Sequence, residues 1–191
     1  MTHDPNEILR FWLEDCGPDD WYKQDDALDA AIRDRFEETW AVAAKGGLDD
    51  WWTPPEWCLA FLILTDQFPR NMFRGQAKAF STDEIALRTA KWAIERGIDL
   101  RIDGPARQFF YLPLGHSEYI TDQHRAVRLV ATRLDAPETL LHAQAHREVI
   151  RRFGRFPHRN EVLGRAMRGG EAAFLADGGY GAVVRELKEA A

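Results

Sequence analysis

Residues 57–71 read WCLAFLILTDQFPRN, and this stretch decides the fold. Trp57 to Leu64 are eight apolar residues without a polar break. A surface helix shows polar residues every third or fourth position, whereas a helix that is apolar all round is buried on all sides. The stretch therefore predicts a central buried helix, opened by Pro54-Pro55 and ended at Phe68-Pro69, because proline lacks the donor a helix interior needs. Thr65, Asp66 and Gln67 follow with no solvent-facing turn, which delivers Asp66 into the interior. A carboxylate there needs a partner, and Arg70, Arg155 and Arg159 are the candidates.

Outward from this stretch the chain reads as further helices. Asp4-Pro5-Asn6-Glu7 is a helix start, with an Asp cap, Pro at the first helical position and Glu three residues after the cap; Gly17-Pro18 end that helix. Leu28, Ile32, Phe36, Val42 and Ala43 predict a helix over 25–44, stopped by Gly46-Gly47. Ser81 to Glu84 reads as a capping box, with Phe80 stapled to Ile85, for a helix running to Arg96. A short helix over 108–112 is broken at Pro113. Gly115-His116-Ser117-Glu118 then lead into a helix with a stripe of Ile120, Val127, Val130 and Leu134, on which Gln123 also falls. Pro137 opens a helix that turns Leu141, Ala145, Val149, Ile150 and Phe153 inward and ends at Gly154. No segment alternates with period two, so the fold class is all-α, with short loops favouring antiparallel neighbours.

A chain of 191 residues predicts one domain, residues 1–191, by the usual prior of roughly 100–200 residues per domain. Hydrophobic residues make up 45%, including 7 Trp and 11 Phe, enough for a substantial core. The longest apolar run falls well short of the ~20 residues a membrane span needs, so no membrane partner is expected. The polar start Met1-Thr-His-Asp-Pro carries no secretory signal, and Cys16 and Cys58 read as reduced thiols without metal spacing, which together predict a cytoplasmic protein. Net charge is −6, which argues against nucleic-acid binding. The charge is unevenly placed: acids crowd the first fifty residues, whereas Arg147, Arg151, Arg152, Arg155, Arg159, Arg165 and Arg168 stand against only Glu148 and Glu161.

One internal echo stands out. Gln67-Phe68-Pro69-Arg70-Asn71 and Arg155-Phe156-Pro157-His158-Arg159-Asn160 each set Phe-Pro, Arg and Asn after a helix, and each leads to a Gly-flanked arginine, Arg74 and Arg165. DQFPRN, YLPLGHSE and RFGRFPHRN, in this order, resemble the bacterial family known as domain of unknown function 924. The resemblance runs from ILRFW near the start to Phe174-Leu175, with Leu114-Gly115 standing where a charged residue is expected before His116. It implies a tetratricopeptide-repeat-like array of antiparallel helices and brings no activity with it.

The candidate site residues are those of the three motifs. Arginine forks and imidazoles suit a phosphate or carboxylate, and acid–histidine pairs suit proton transfer. In this reading Arg70, Arg155 and Arg159 grip a small anionic ligand, with Gln67, Gln123 and His158 beside them. His116 or His146 moves a proton, Asp66 and Glu118 orient guanidinium or imidazole, and Asn71 and Asn160 cap the loops. Ser117 is a capping residue rather than a nucleophile. His142 and His146 have chelating spacing, but no HExxH motif or cysteine accompanies them, so neither metal nor cofactor is expected. Gly46-Gly47 and Gly178-Gly179 read as turns. The competing reading is an interaction module for a protein or peptide, whose acid–arginine pairs only lock helices together. Trp21-Tyr22 and Trp51-Trp52 then either fill gaps between helices or line its groove.

Overall fold

The computed structural model describes residues 4–190; Met1–His3, the start of the polar stretch noted above, and Ala191 lie outside them. Among the described residues every regular element is a helix, and no helix is long and apolar enough to cross a membrane. The chain forms two compact units, Met1–Pro113 and Leu114–Ala191.

The first unit contains α1 (Pro5–Leu9), α2 (Asp26–Ala44), α3 (Pro55–Leu62), α4 (Phe68–Met72) and α5 (Asp83–Glu95). Two N-termini carry side-chain caps, the one at Asp4 as its sequence predicts. Asp4 accepts the Asn6 amide at 2.9 Å, and Asp25 accepts those of Ala27 and Leu28 at 2.9 and 3.1 Å. α3 packs on α1 and α5, and α4 packs on α2. The core is aromatic, and Phe68 is its hub, with ring centroids 5.0 Å from Phe36, 5.4 Å from Trp12 and 6.3 Å from Phe11. Trp21 and Trp51 are buried and Trp52 packs on Phe61 and Trp92, whereas the Tyr22 ring is exposed.

The structure corrects the expectation that Phe68-Pro69 end the buried helix. The chain stays helical from Pro55 to Met72 by inserting one π-helical turn, Ile63–Gln67, so that Pro69 falls in the first turn of α4. A missing N–H is tolerated there. The Thr65 carbonyl, which an ordinary helix would bond to the residue at 69, instead accepts the Thr82 hydroxyl at 2.6 Å. That same hydroxyl accepts the Trp40 indole N–H at 3.1 Å.

This use of Thr82 also overturns the capping box at Ser81. Ser81 belongs to the preceding turn and donates to the Lys78 carbonyl at 2.7 Å. Thr82 takes the N-cap position of α5 without a side-chain cap bond, and Asp83 in the first turn receives Arg70. Nor does Pro113 break a helix. A 3-10 stretch, Gly104–Phe110, is followed by α6 (Leu112–Gly115), which begins around that proline.

The second unit contains α7 (Ile120–Arg133), α8 (Pro137–Phe153), α9 (Glu171–Ala176) and α10 (Gly179–Glu189). α8 begins at Pro137 and ends at Gly154 as its sequence predicts, and it packs against both α7 and α10. Ala145, Val149, Ile150, Phe156 and Val183 form the core of the unit. α7 is rotated from its predicted stripe: Asp122, Gln123, Ala126, Leu129 and Val130 are buried, whereas Ile120 is exposed. The charge asymmetry follows the units. The first holds 21 acidic against 13 basic residues, and the second 10 against 12.

The π-turn account makes a direct prediction. Thr82→Val keeps the shape of the side chain but leaves the Thr65 carbonyl without its donor and the Trp40 indole without its acceptor. Stranding a buried polar group costs about 1–3 kcal/mol, and urea denaturation should show a loss of that order. A loss below about 0.5 kcal/mol, typical of a surface substitution, would show that the carbonyl does not depend on Thr82.

Candidate functional site

The motif residues of the first unit are held by carboxylates of the same unit. Asp66 is buried, as its position after the apolar helix predicts, and Arg70 reaches it at 3.6 Å. Arg70 also forks onto Asp83 at 2.9 and 3.1 Å and donates to the Asp66 carbonyl. Asn71 donates to Asp29 at 2.8 Å, and Arg74 forks onto the same carboxylate at 2.7 and 2.9 Å. Gln67 donates to Asn71 and to the Trp21 carbonyl, both at 3.4 Å. A depression of about 390 Å³ opens beside them, lined by Asp26, Asp29, Arg33, Asn71, Arg74 and Gly75. Both guanidiniums in its wall rest on protein acceptors, Arg74 on Asp29 and Arg33 on the Met72 carbonyl.

In the second unit, Gln123, the motif from His116 to Glu118 and the motif from Arg155 to Asn160 are brought together. Gln123, wholly buried on α7, donates through Nε2 to the carbonyls of Gly115 and Ser117, both at 2.7 Å, and so fixes the loop that carries His116. Ser117 accepts the Tyr119 amide at 3.2 Å and donates to Asp122 at 2.8 Å, a turn-stabilising role close to the one expected. Glu118 ties this loop to the next one. It accepts the Phe156 amide at 2.8 Å and the fork of Arg165 at 2.7 and 3.0 Å. Burial pushes the Glu118 carboxyl up, but the Arg165 bond, the Phe156 amide and the charges of Arg165 and Arg159 outweigh it and hold the carboxyl below its ordinary value.

Arg155 meets a partner that its sequence does not announce. Its fork lies on Glu171, the first residue of α9, at 2.7 Å through both arms, and a further N–H reaches the Ala166 carbonyl. Asn160 donates to Glu171 at 3.1 Å and accepts from Arg165 at 3.0 Å. The Arg155 bond leads the effects that hold the Glu171 carboxyl down at about 2. The Gly-flanked arginines of the echo thus do the same work in both units, Arg74 forking onto Asp29 and Arg165 onto Glu118.

His146 stands apart from these pairs. It lies on α8 among rings: His116 at 5.8 Å, Phe156 at 5.5 Å and Tyr180 at 4.9 Å between centroids. Arg159 is buried with its guanidinium 4.5 Å above Phe156, and the exposed His158 lies 5.6 Å from the same ring. Burial, and then the charges of His116, Arg159, His142 and His158, hold the His146 imidazole well below its ordinary value of 6.5. It is neutral at pH 7 and surrounded by positive or protonatable groups. Among the described residues its close neighbours are rings. His142 is exposed, and its Nδ1 meets the Tyr180 hydroxyl at 2.6 Å. Among the described residues no three His, Cys, Asp or Glu side chains are grouped as a metal would require. Arg165, Glu171 and Tyr180 are the residues that sequence reasoning missed; only Arg165, through the echo, carried a signal.

The family model described as "Bacterial protein of unknown function (DUF924)" matches residues 8–179. A solved structure described as a protein of unknown function, ATU0120 from Agrobacterium tumefaciens, is 42% identical with a TM-score of 0.86, over 91% of this chain and 97% of that one. No curated protein matches.

Two titrations mark the second unit. The His146 imidazole is depressed in the fold, so its contribution to stability is complete above 6.5, the value expected of the unfolded chain, and is lost as pH falls from there through the folded value. The Glu171 carboxyl is also depressed, so its contribution is complete above about 4.5 and is lost as pH falls toward about 2. Stability followed by urea denaturation should decline in two stages on acidification. His146→Gln should diminish the first stage and Glu171→Gln the second. A profile that both substitutions leave unchanged would contradict the desolvation of His146 and the pairing of Glu171 with Arg155.

Proposed function

The chain belongs to the bacterial family of unknown function DUF924, and from that premise we propose that its second unit binds a small anionic ligand, a carboxylate or a phosphate, around His146. The observation that carries this reading is the half-buried His146 imidazole, packed between the Phe156 and Tyr180 rings, with His116 5.8 Å away and Arg159, His142 and His158 close enough for their charges to lower its pKa. A cluster of one sign in a desolvated place favours an anion, and a strongly perturbed imidazole suits proton transfer. Arg159 and His116 hold the anionic group, His158 lies at the exposed edge, and His146 takes up or gives a proton. Glu118 and Gln123 position the His116 loop. Arg155 and Asn160 act through Glu171 on the following loop. We assign Asp66, Gln67, Arg70 and Asn71 to the framework of the first unit, where their partners lie.

The second reading is an interaction module of tetratricopeptide-repeat-like type in a cytoplasmic protein, binding a protein or peptide. It is favoured by the forks of Arg70, Arg74, Arg155 and Arg165, all on carboxylates, and by the packing of α8 between α7 and α10.

A thermal screen against small carboxylates and phosphates separates the two. A ligand at a hundred times its dissociation constant adds about 2.7 kcal/mol, which raises the melting temperature of a protein of this size by roughly 5–10 °C. His146→Gln and Arg159→Ala should abolish the rise while both variants remain folded. A bound anion favours the imidazolium, so affinity should increase as pH falls below neutrality. Rises that persist in both variants would place the ligand elsewhere, and a screen with no rise would leave the interaction module as the better reading.

A further inference from the structure

Tyr180 is the one wall of the His146 cluster that comes from the C-terminal helix. It is the second residue of α10, directly after Gly178 and Gly179, whose φ values are +101° and +54°. Side chains other than glycine rarely adopt that region, and a Cβ at Gly178 would come within 3.1 Å of the Arg185 side chain. The glycine pair therefore lets the chain turn sharply out of α9 and set the Tyr180 ring over His146, with centroids 4.9 Å apart and planes tilted by 34°. The phenol is fixed at its far end, where its hydroxyl bonds His142 Nδ1 at 2.6 Å and its ring stacks on that imidazole. α10 is anchored independently of this contact. Val183 is wholly buried in the core of the unit, and Glu186 and Lys188 pair with Arg152 and Glu138 on α8.

We propose that Tyr180 is the residue that controls access to His146: held by His142 and delivered by the Gly178-Gly179 turn, its ring shuts water away from the imidazole and shapes the space a ligand must fill. This rests on the reading of His146 as the proton-transfer group of the site. It adds that the site exists only with α10 docked, and that its ligand meets an aromatic face as well as a charged one. His146 is faced by His142 from its own helix, His116 from the loop after α6, His158 and Arg159 from the turn at 157–159, and Tyr180 from α10. Tyr180 and, from the loop after α8, Phe156 at 5.5 Å contribute cover without charge, and removing the Tyr180 ring therefore acts on His146 through solvation.

The test is a histidine-selective NMR titration of the ligand-free protein, comparing the wild type with Tyr180→Phe and Tyr180→Ala. In the wild type His146 should titrate below the ordinary histidine range. Tyr180→Phe keeps the ring and should leave His146 there, while the His142 titration changes with the loss of its hydroxyl partner. Tyr180→Ala should move the His146 midpoint up toward the ordinary range as water enters. If amide exchange shows α10 undocked in the alanine variant, Tyr180→Leu, which keeps apolar bulk on α10, is read in its place and should give the same upward shift. An unchanged His146 midpoint in the variant with α10 still protected would overturn the proposal. Because no ligand is present, this outcome is independent of whether any anion binds, so failure here and failure in the thermal screen are distinguishable.

Discussion

Four arginine–carboxylate forks, buried or partly buried, hold the loops of this structure in register. Arg70 lies on Asp83, Arg74 on Asp29, Arg155 on Glu171 and Arg165 on Glu118. Each joins residues distant in sequence or on different elements, and in each the planar donor pair meets both carboxylate oxygens. Removing one member leaves an uncompensated charge, so the loops after α4 and α8 are fixed in place far more firmly than exposed loops usually are. Those loops are where the Phe-Pro motifs lie. The forks are what allow a chain with few long helices to present defined side chains at helix ends.

The same constraint isolates His146. The arginines around it serve carboxylates or lie over rings, and the imidazole is left neutral, among aromatic faces, with positive charge nearby. A structural histidine in a core ordinarily donates to or accepts from a fixed partner. Here the close neighbours are rings and cationic groups, and the proposal of an anionic ligand rests on that arrangement. The net charge of the second unit, opposite in sign to that of the first, acts in the same direction.

Much of the fold was legible because it rests on local rules. The cap at Asp4, the helix from Pro137 to Gly154 and the burial of Asp66 follow from residue type and spacing alone. What escaped is tertiary. Pro69 reads as a helix end until Thr82, 17 residues on from Thr65, supplies the donor that the Thr65 carbonyl needs. Ser81 reads as a cap until Thr82 takes the N-terminal position of α5. Arg155 reads as a free anion grip until Glu171, an acid in an unremarkable sequence context, proves to be its partner. Tyr180 has no motif around it at all, and only the packing of α10 on α8 reveals its place over His146. Charge complementarity between distant segments leaves no periodic trace in a single sequence.

The central claim is that an anion belongs beside His146, and a crystal soaked in bromide and measured at the bromine absorption edge tests it without presupposing a ligand. The account predicts an anomalous peak within contact distance of the His146 ring and the Arg159 guanidinium, stronger in crystals held at lower pH. Peaks confined to exposed arginines such as Arg151 and Arg168, with none at His146 at any pH, would contradict it.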